Sequence, residues 1–173
     1  ARGRDHHLVL PTLGVGNPDF GKEVTFDDVD PLDPGHRLLA VYRFWNVIQW
    51  WFPYRDLVEG DWDSALEGAI GDVIAATDEA GLAQALIRLH VPVSDTHTNL
   101  WNGLDHRPPL GDCMIPANLR FLGDDATVWA AGGGLELGDV VEAIDGVSVG
   151  ELIEDWSSLF AASNEPTRRR DLG

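Results

Sequence analysis

The sequence is short of the residues that build several common kinds of protein. One cysteine, Cys113, among 173 residues excludes an internal disulfide framework and any zinc site built from cysteines. Bases are scarce, 12 against 29 acids, for a formal net charge of −17. A polyanion gains nothing from counterion release on DNA and is repelled by an anionic membrane surface, so nucleic acid is not an expected partner. The Arg168-Arg169-Arg170 cluster is too short to reverse that balance. Long apolar runs are missing too. The most apolar stretch, FWNVIQWWF, is half the length of ~20 residues that spans a bilayer, and it carries Asn46 and Gln49. No membrane span is expected, and no internal repeat or low-complexity segment is present.

What is there is an ordinary apolar share of 44%, enough for a buried core. Residues 1–35 are rich in Gly, Pro and Asp and read as loop, with EVTF at 23–26 as a short extended candidate. Asp33 then stands as a natural N-cap before Pro34, and the chain runs helically to Pro53. Arg43, Asn46 and Gln49 form a narrow polar stripe on this helix, which is expected to be buried on most sides. A second helix follows Asp61, with Leu66, Ala69, Ile70, Val73 and Ile74 on one face. A third runs from about Asp78 to His90, with Asp78 and Glu79 in its first turn, and Pro92 ends it. Leu82, Ala85, Leu86 and Leu89 are expected to pack it on the other two.

The pattern changes near Met114. IPANLRFLG and ATVWAAG read as two strands around Gly123-Asp124-Asp125. A further strand places Val140 and Ile144 on one face and Val141 and Ala143 on the other, before the hairpin turn Asp145-Gly146. Val147 to Val149 continue as strand, and Leu152, Ile153, Trp156 and Phe160 mark an amphipathic helix. The fold class expected is α+β, a small helical bundle followed by a partly strand-built module.

Between the two lies VPVSDTHTNL, residues 91–100, where His97 stands two residues after Asp95. Three roles are open to it. As a loop histidine it bonds Asp95 or a backbone carbonyl. As a general base it takes a proton near neutral pH, with Asp95 orienting the ring unless Asp95 only caps the turn after Pro92. As a metal ligand it lacks support, because His90, His97 and His106 show no zinc-type spacing, and no metal or organic cofactor is expected. The tryptophan-rich stretch from Phe44 to Phe52 fits core and interface packing better than a sugar platform.

GLELGDVVEAIDGVSV resembles the second half of a PDZ domain of bacterial proteases. RLLAVYRFWNVIQWWFPYRDL, then DWDSAL, then SDTHTNL, resembles the N-terminal region of the C-terminal-processing (tail-specific) serine peptidase family, which includes the tricorn core. The order of helical segment, Asp-x-His-Thr and PDZ module is similar over roughly residues 36–170. The resemblance implies an N-terminal segment at 1–35, a helical domain at 36–112, a PDZ-like module at 113–163 and, at 164–173, the start of a linker to an α/β protease domain that this chain lacks. It departs at AAGGGLELGD, where three glycines replace the connecting segment and short helix that a PDZ module normally carries.

By the same resemblance His97 is the general base of a serine endopeptidase, Asp95 its orienting carboxylate, and Thr96 stands where tricorn has a helper serine. The nucleophile lies outside these residues. Ser64, Ser94, Ser148, Ser157, Ser158 and Ser163 all lack a glycine-rich nucleophile setting, and Lys22 is wrongly placed for the lysine base of other branches. Asn118, Leu119, Arg120 and Phe121 are the strand expected to take polypeptide substrates or peptide C-termini by β-addition. The partners implied are therefore substrate tails and a protease domain, with oligomers compatible and a periplasmic or secreted location favoured. The alternative is a non-catalytic PDZ-type module that only binds peptides. An acidic, tryptophan-rich carbohydrate binder is a weaker third.

Overall fold

Three aspartates start the three helices of the first half. The computed structural model of the protein describes residues 30–98, 100 and 116–173. The EVTF candidate, Lys22, His106 and Cys113 lie outside the described residues. Helix α1 spans Pro34–Trp51, and the Asp33 carboxylate accepts the free amides of Gly35 and His36 at 2.9 and 3.1 Å. Asp61 does the same for α2, Trp62–Ala75, through Asp63 and Ser64. Asp78 caps α3, Glu79–His90, by accepting from Gly81, so it sits one residue before the first turn in which it was expected.

Their apolar faces meet in one core of Val41, Ile48, Trp62, Ala69, Val73, Leu82, Ala85 and Leu89, closed at one end by Val58 and Val93. Trp45 and Trp62 clasp α1 to the start of α2. Each indole N–H donates to the other residue's carbonyl, at 2.9 and 3.4 Å. Arg37 is buried as well. Its guanidinium donates to the carbonyls of Val73 and Ala76 at 2.8 and 2.7 Å, where the carbonyls ending α2 lack intrahelical partners and its dipole is negative. His90 stacks on Phe44 at 3.9 Å between ring centroids, with Nδ1 against the Leu86 carbonyl.

Helix α1 is not buried on most sides. Val41 and Ile48 lie inside, but Leu39, Tyr42 and Trp50 face solvent, because α2 and α3 cover only one flank of it. Ile74, expected on the inner face of α2, is also exposed.

The second half holds two small antiparallel sheets. Strand β1, Asn118–Leu122, pairs with β2, Asp125–Ala130, and β2 with β3, Val140–Val141. Gly123, at φ 68°, takes the turn between β1 and β2. The strand expected from Val140 to Ile144 is broken at Glu142, whose carbonyl accepts from the Val149 amide at 2.9 Å. Strand β4, Ala143–Ile144, instead pairs with β5, Val147–Ser148, across Asp145-Gly146. Both turn residues have positive φ, 51° and 83°, as a type I′ hairpin requires. The three glycines form a tight bridge between Gly132 and Leu135 rather than a helix. A Cβ on Gly132 would lie 1.7 Å from the Pro116 carbonyl oxygen, so only glycine fits there.

Val149 does not continue the strand. It opens α4, Val149–Ser157, because Ser148 and Glu151 form a capping box. Phe160 falls beyond that helix, in a second core with Leu159 and Ile87 of α3, to which Leu100, Trp156 and Leu172 add. Within 164–173, read from sequence as the start of a linker, Glu165–Leu172 form α5, capped by Asn164. The fold is thus α+β, with five α-helices and two small antiparallel sheets among the described residues. No helix among the described residues is long and apolar enough to cross a membrane.

Candidate functional site

The motif around His97 follows a single 3-10 turn, Val91–Val93, that extends α3 past Pro92. Ser94 then adopts φ 53° and ψ 38°, a left-handed conformation that non-glycine residues adopt rarely. This reverses the chain, and Asp95 to Thr98 close a turn through the Thr98 amide and the Asp95 carbonyl at 2.9 Å. One carboxylate oxygen of Asp95 accepts both the backbone amide of His97, at 2.9 Å, and its Nδ1, at 3.1 Å. The first bond is an Asx turn, and the second fixes the ring. With the carboxylate as acceptor, the proton sits on Nδ1, which leaves Nε2 to carry the lone pair whenever the ring is neutral. Asp95 therefore bonds both the backbone and the ring of His97.

His97 is 96% exposed in its side chain, and Asp95 is 31%. The imidazole stands on the rim of a groove of about 570 Å³ whose lining includes Phe52, Tyr54, Leu57, Val93, Asp95 and Ser163. Tyr54 and Leu57 are themselves 61% and 70% exposed, so two large side chains stand open on a lining that also holds Glu59 and Ser94. Trp50, four residues before Tyr54, is 70% exposed with its indole on Asn46.

Thr96 faces the other way. Its amide donates to the Ser163 hydroxyl at 3.2 Å, its own hydroxyl lies 3.0 Å from that oxygen, and the Ser163 amide donates to Thr96 Oγ1 at 3.1 Å. The hydroxyl read as a helper of His97 is thus engaged with a residue 67 positions away. Among the described residues, the hydrogen-bond partner of the His97 ring is Asp95, and no serine hydroxyl bonds it. Groups of His, Cys, Asp and Glu able to hold a metal ion are not found among the described residues.

The strand Asn118–Phe121 lies apart from His97, on β1. Its outer edge is not open along its length. The end of α5 reaches it, and a Cβ on Gly173 would lie 3.1 Å from the Leu119 carbonyl. Beyond that contact a groove of about 600 Å³ runs between β1 and α5, lined by Arg120, Phe121, Asp124, Glu165, Arg169 and Arg170. The Arg120 guanidinium sits 4.4 Å from the Trp129 ring centroid. Arg169 donates to Asp124 at 2.7 Å and to Glu165 at 3.1 Å, and these two carboxylates push its pKa up. Asn118 and Arg120 are exposed, while Leu119 and Phe121 are half-buried.

Sequence reasoning weighed Ser163 only as a nucleophile and not as a partner of Thr96, and it assigned no site role to Tyr54 and Leu57. The last two belong to a 3-10 turn, Arg55–Leu57, and its approach, which local periodicity does not reveal. No protein-family model matches the chain, and no curated protein matches it.

Proposed function

We propose that this chain is the helical and PDZ-like portion of a serine endopeptidase resembling the C-terminal-processing family, with His97 as general base. The observation that carries the reading is the Asp95–His97 contact at 3.1 Å, with the ring presented at the rim of an open groove. A carboxylate on Nδ1 holds the tautomer in which Nε2 can take a proton from a serine hydroxyl and return it to a leaving amine. The serine and the oxyanion donors come from outside these residues. The exposed Tyr54 and Leu57 support such an encounter, because a base of this kind works in a site from which water has been removed. The groove between β1 and α5 would receive substrate tails.

The test is intact mass of the full protein before and after a fluorophosphonate serine probe. Wild type is expected to take one adduct, and His97→Ala to take it about a thousandfold more slowly. Because the imidazole is almost wholly in water, His97→Ala should leave stability within about 0.5 kcal/mol of wild type. A wild type that takes no adduct removes the peptidase reading.

One observation favours a second reading, a peptide-binding module without catalysis. In the β1–α5 groove Arg169 and Arg170 are paired with Asp124, Glu165 and Asp171, and the exposed Arg120, lying over Trp129, is the guanidinium placed to take a peptide carboxylate. Affinity for peptide C-termini that falls in Arg120→Ala, together with no adduct, would leave this reading standing.

A further inference from the structure

The His97 ring has no packing of its own. It is almost fully exposed, and Asp95, two residues away on the same turn, is its hydrogen-bond partner. Where the imidazole points is therefore decided by where the turn 95–98 sits. That turn is attached at two ends. On one side Val93 is buried in the helical core and Ser94 makes the left-handed reversal. On the other, Thr96 is bonded through both its amide and its hydroxyl to Ser163.

Ser163 is not a loose residue. It follows Leu159, Phe160, Ala161 and Ala162, all 9% exposed or less, of which Leu159 and Phe160 share a core with Ile87 of α3. The position of that buried run reaches Thr96 through three short bonds, and Thr96 adjoins His97. Chains of hydrogen bonds anchored in a packed core hold a side chain more closely than a free turn does.

We infer that Ser163 is a positioning residue for His97, locking the turn 95–98 to the segment that follows α4. This rests on His97 being the base proposed above. The clasp itself does not. A loss of the clasp leaves the imidazole chemically intact but lets the turn swing about Ser94, so fewer encounters with a serine are productive.

The experiment compares Ser163→Ala and Ser163→Thr with wild type in the full protein, by amide hydrogen exchange and by the rate of fluorophosphonate labelling. Ser163→Ala is expected to speed exchange of the Thr96 amide about tenfold. It should slow labelling about tenfold, with the adduct mapping to a serine other than Ser163. Ser163→Thr, which restores the hydroxyl, should recover both. The Ile87 amide reports whether the second core is intact. If it too loosens in Ser163→Ala, Thr96→Val removes the partner hydroxyl at similar volume, and should speed exchange of the Ser163 amide, which donates to Thr96 Oγ1, while slowing labelling in the same way.

Thr96 exchange unchanged in Ser163→Ala means there is no clasp in solution and overturns the inference. Faster exchange with unchanged labelling means the clasp does not position the base, and overturns it too. An adduct on Ser163 itself makes that residue the nucleophile and ends the positioning role. A wild type that takes no adduct fails the peptidase reading instead, which the exchange data alone would not do.

Discussion

The helical half and the strand-built half solve burial differently. In the first, Trp62, Val41 and Val73 are each 1% exposed or less, within a continuous core that three helices share. In the second, Ala126 and Val128 are buried, but Leu122, Trp129, Leu137, Val140 and Val147 lie between 40% and 72% exposed. Sheets with strands of two residues cannot cover both faces, and a three-stranded sheet needs a packed face to persist. The strand-built half finds part of that support in α3, through Leu159 and Phe160 on Ile87. The helices share a core of their own, and the dependence expected from this is one-sided, with the strands leaning on the helices.

The largest perturbation tests that dependence from the helical side. Trp62 is 1% exposed, packs edge-on to Phe44 and exchanges indole bonds with Trp45. Trp62→Ala leaves a cavity and removes the indole that donates to the Trp45 carbonyl, and should destabilise the protein by about 3–5 kcal/mol. If the strands lean on the helices, hydrogen exchange should show the Val128 amide, bonded to Asp139 at 2.8 Å, losing protection together with that of Val73. Val128 protection surviving loss of the helical core would break the comparison.

The converse perturbation is smaller and should be one-sided. Leu159 is 4% exposed in the joining core. Leu159→Ala is expected to cost about 2 kcal/mol, at the low end for a buried leucine, because this core is small and can collapse around the gap. The loss should fall on Val128 and leave Val73 near its wild-type protection. Equal losses at the two amides would mean that the halves unfold as one unit.

How legible each half was in the sequence follows the same division. The helix starts were readable because capping is chemistry within three residues. Asp33 before Pro34, Asp61 before an apolar face and Asp78 before Glu79 all do what such residues do locally. The extent of burial on α1 was not readable, since its residues are apolar on nearly every side and the number of covering neighbours is a tertiary fact. Nor did any pattern mark Arg37 as the buried cap of α2, a contact made across 36 residues. In the strand-built half, Val147 and Val149 drew the strand reading through β-propensity, which holds for Val147 in β5, while Ser148 and Glu151 held a competing helix-start signal that won at Val149. The Asp95–His97 pair was legible because its members are two residues apart. The Thr96–Ser163 clasp spans 67 residues and left no trace in sequence.

That competing signal supplies the smallest of the expected effects, and it is read by pH. Ser148 donates to Glu151 Oε2 through both its hydroxyl, at 2.6 Å, and its amide, at 3.1 Å. The hydroxyl bond first, then the amide bond, hold the Glu151 carboxyl below its ordinary value of 4.5. In α2, the Ser64 hydroxyl and amide hold Asp61 below 3.8 in the same way. For a carboxyl whose folded pKa is depressed, the stabilisation is complete above the unfolded value and drains away as the pH falls through the folded one. Thermal stability of wild type should therefore be flat above about pH 5 in this respect and fall on acidification below the two ordinary values. Ser148→Ala removes the α4 share of that fall while slightly lowering stability at neutral pH, and the Asp61 share stays. Exchange at α4 that remains as acid-sensitive in Ser148→Ala as in wild type would show that the capping box is not what starts that helix. The strand reading would then regain its claim on Val149.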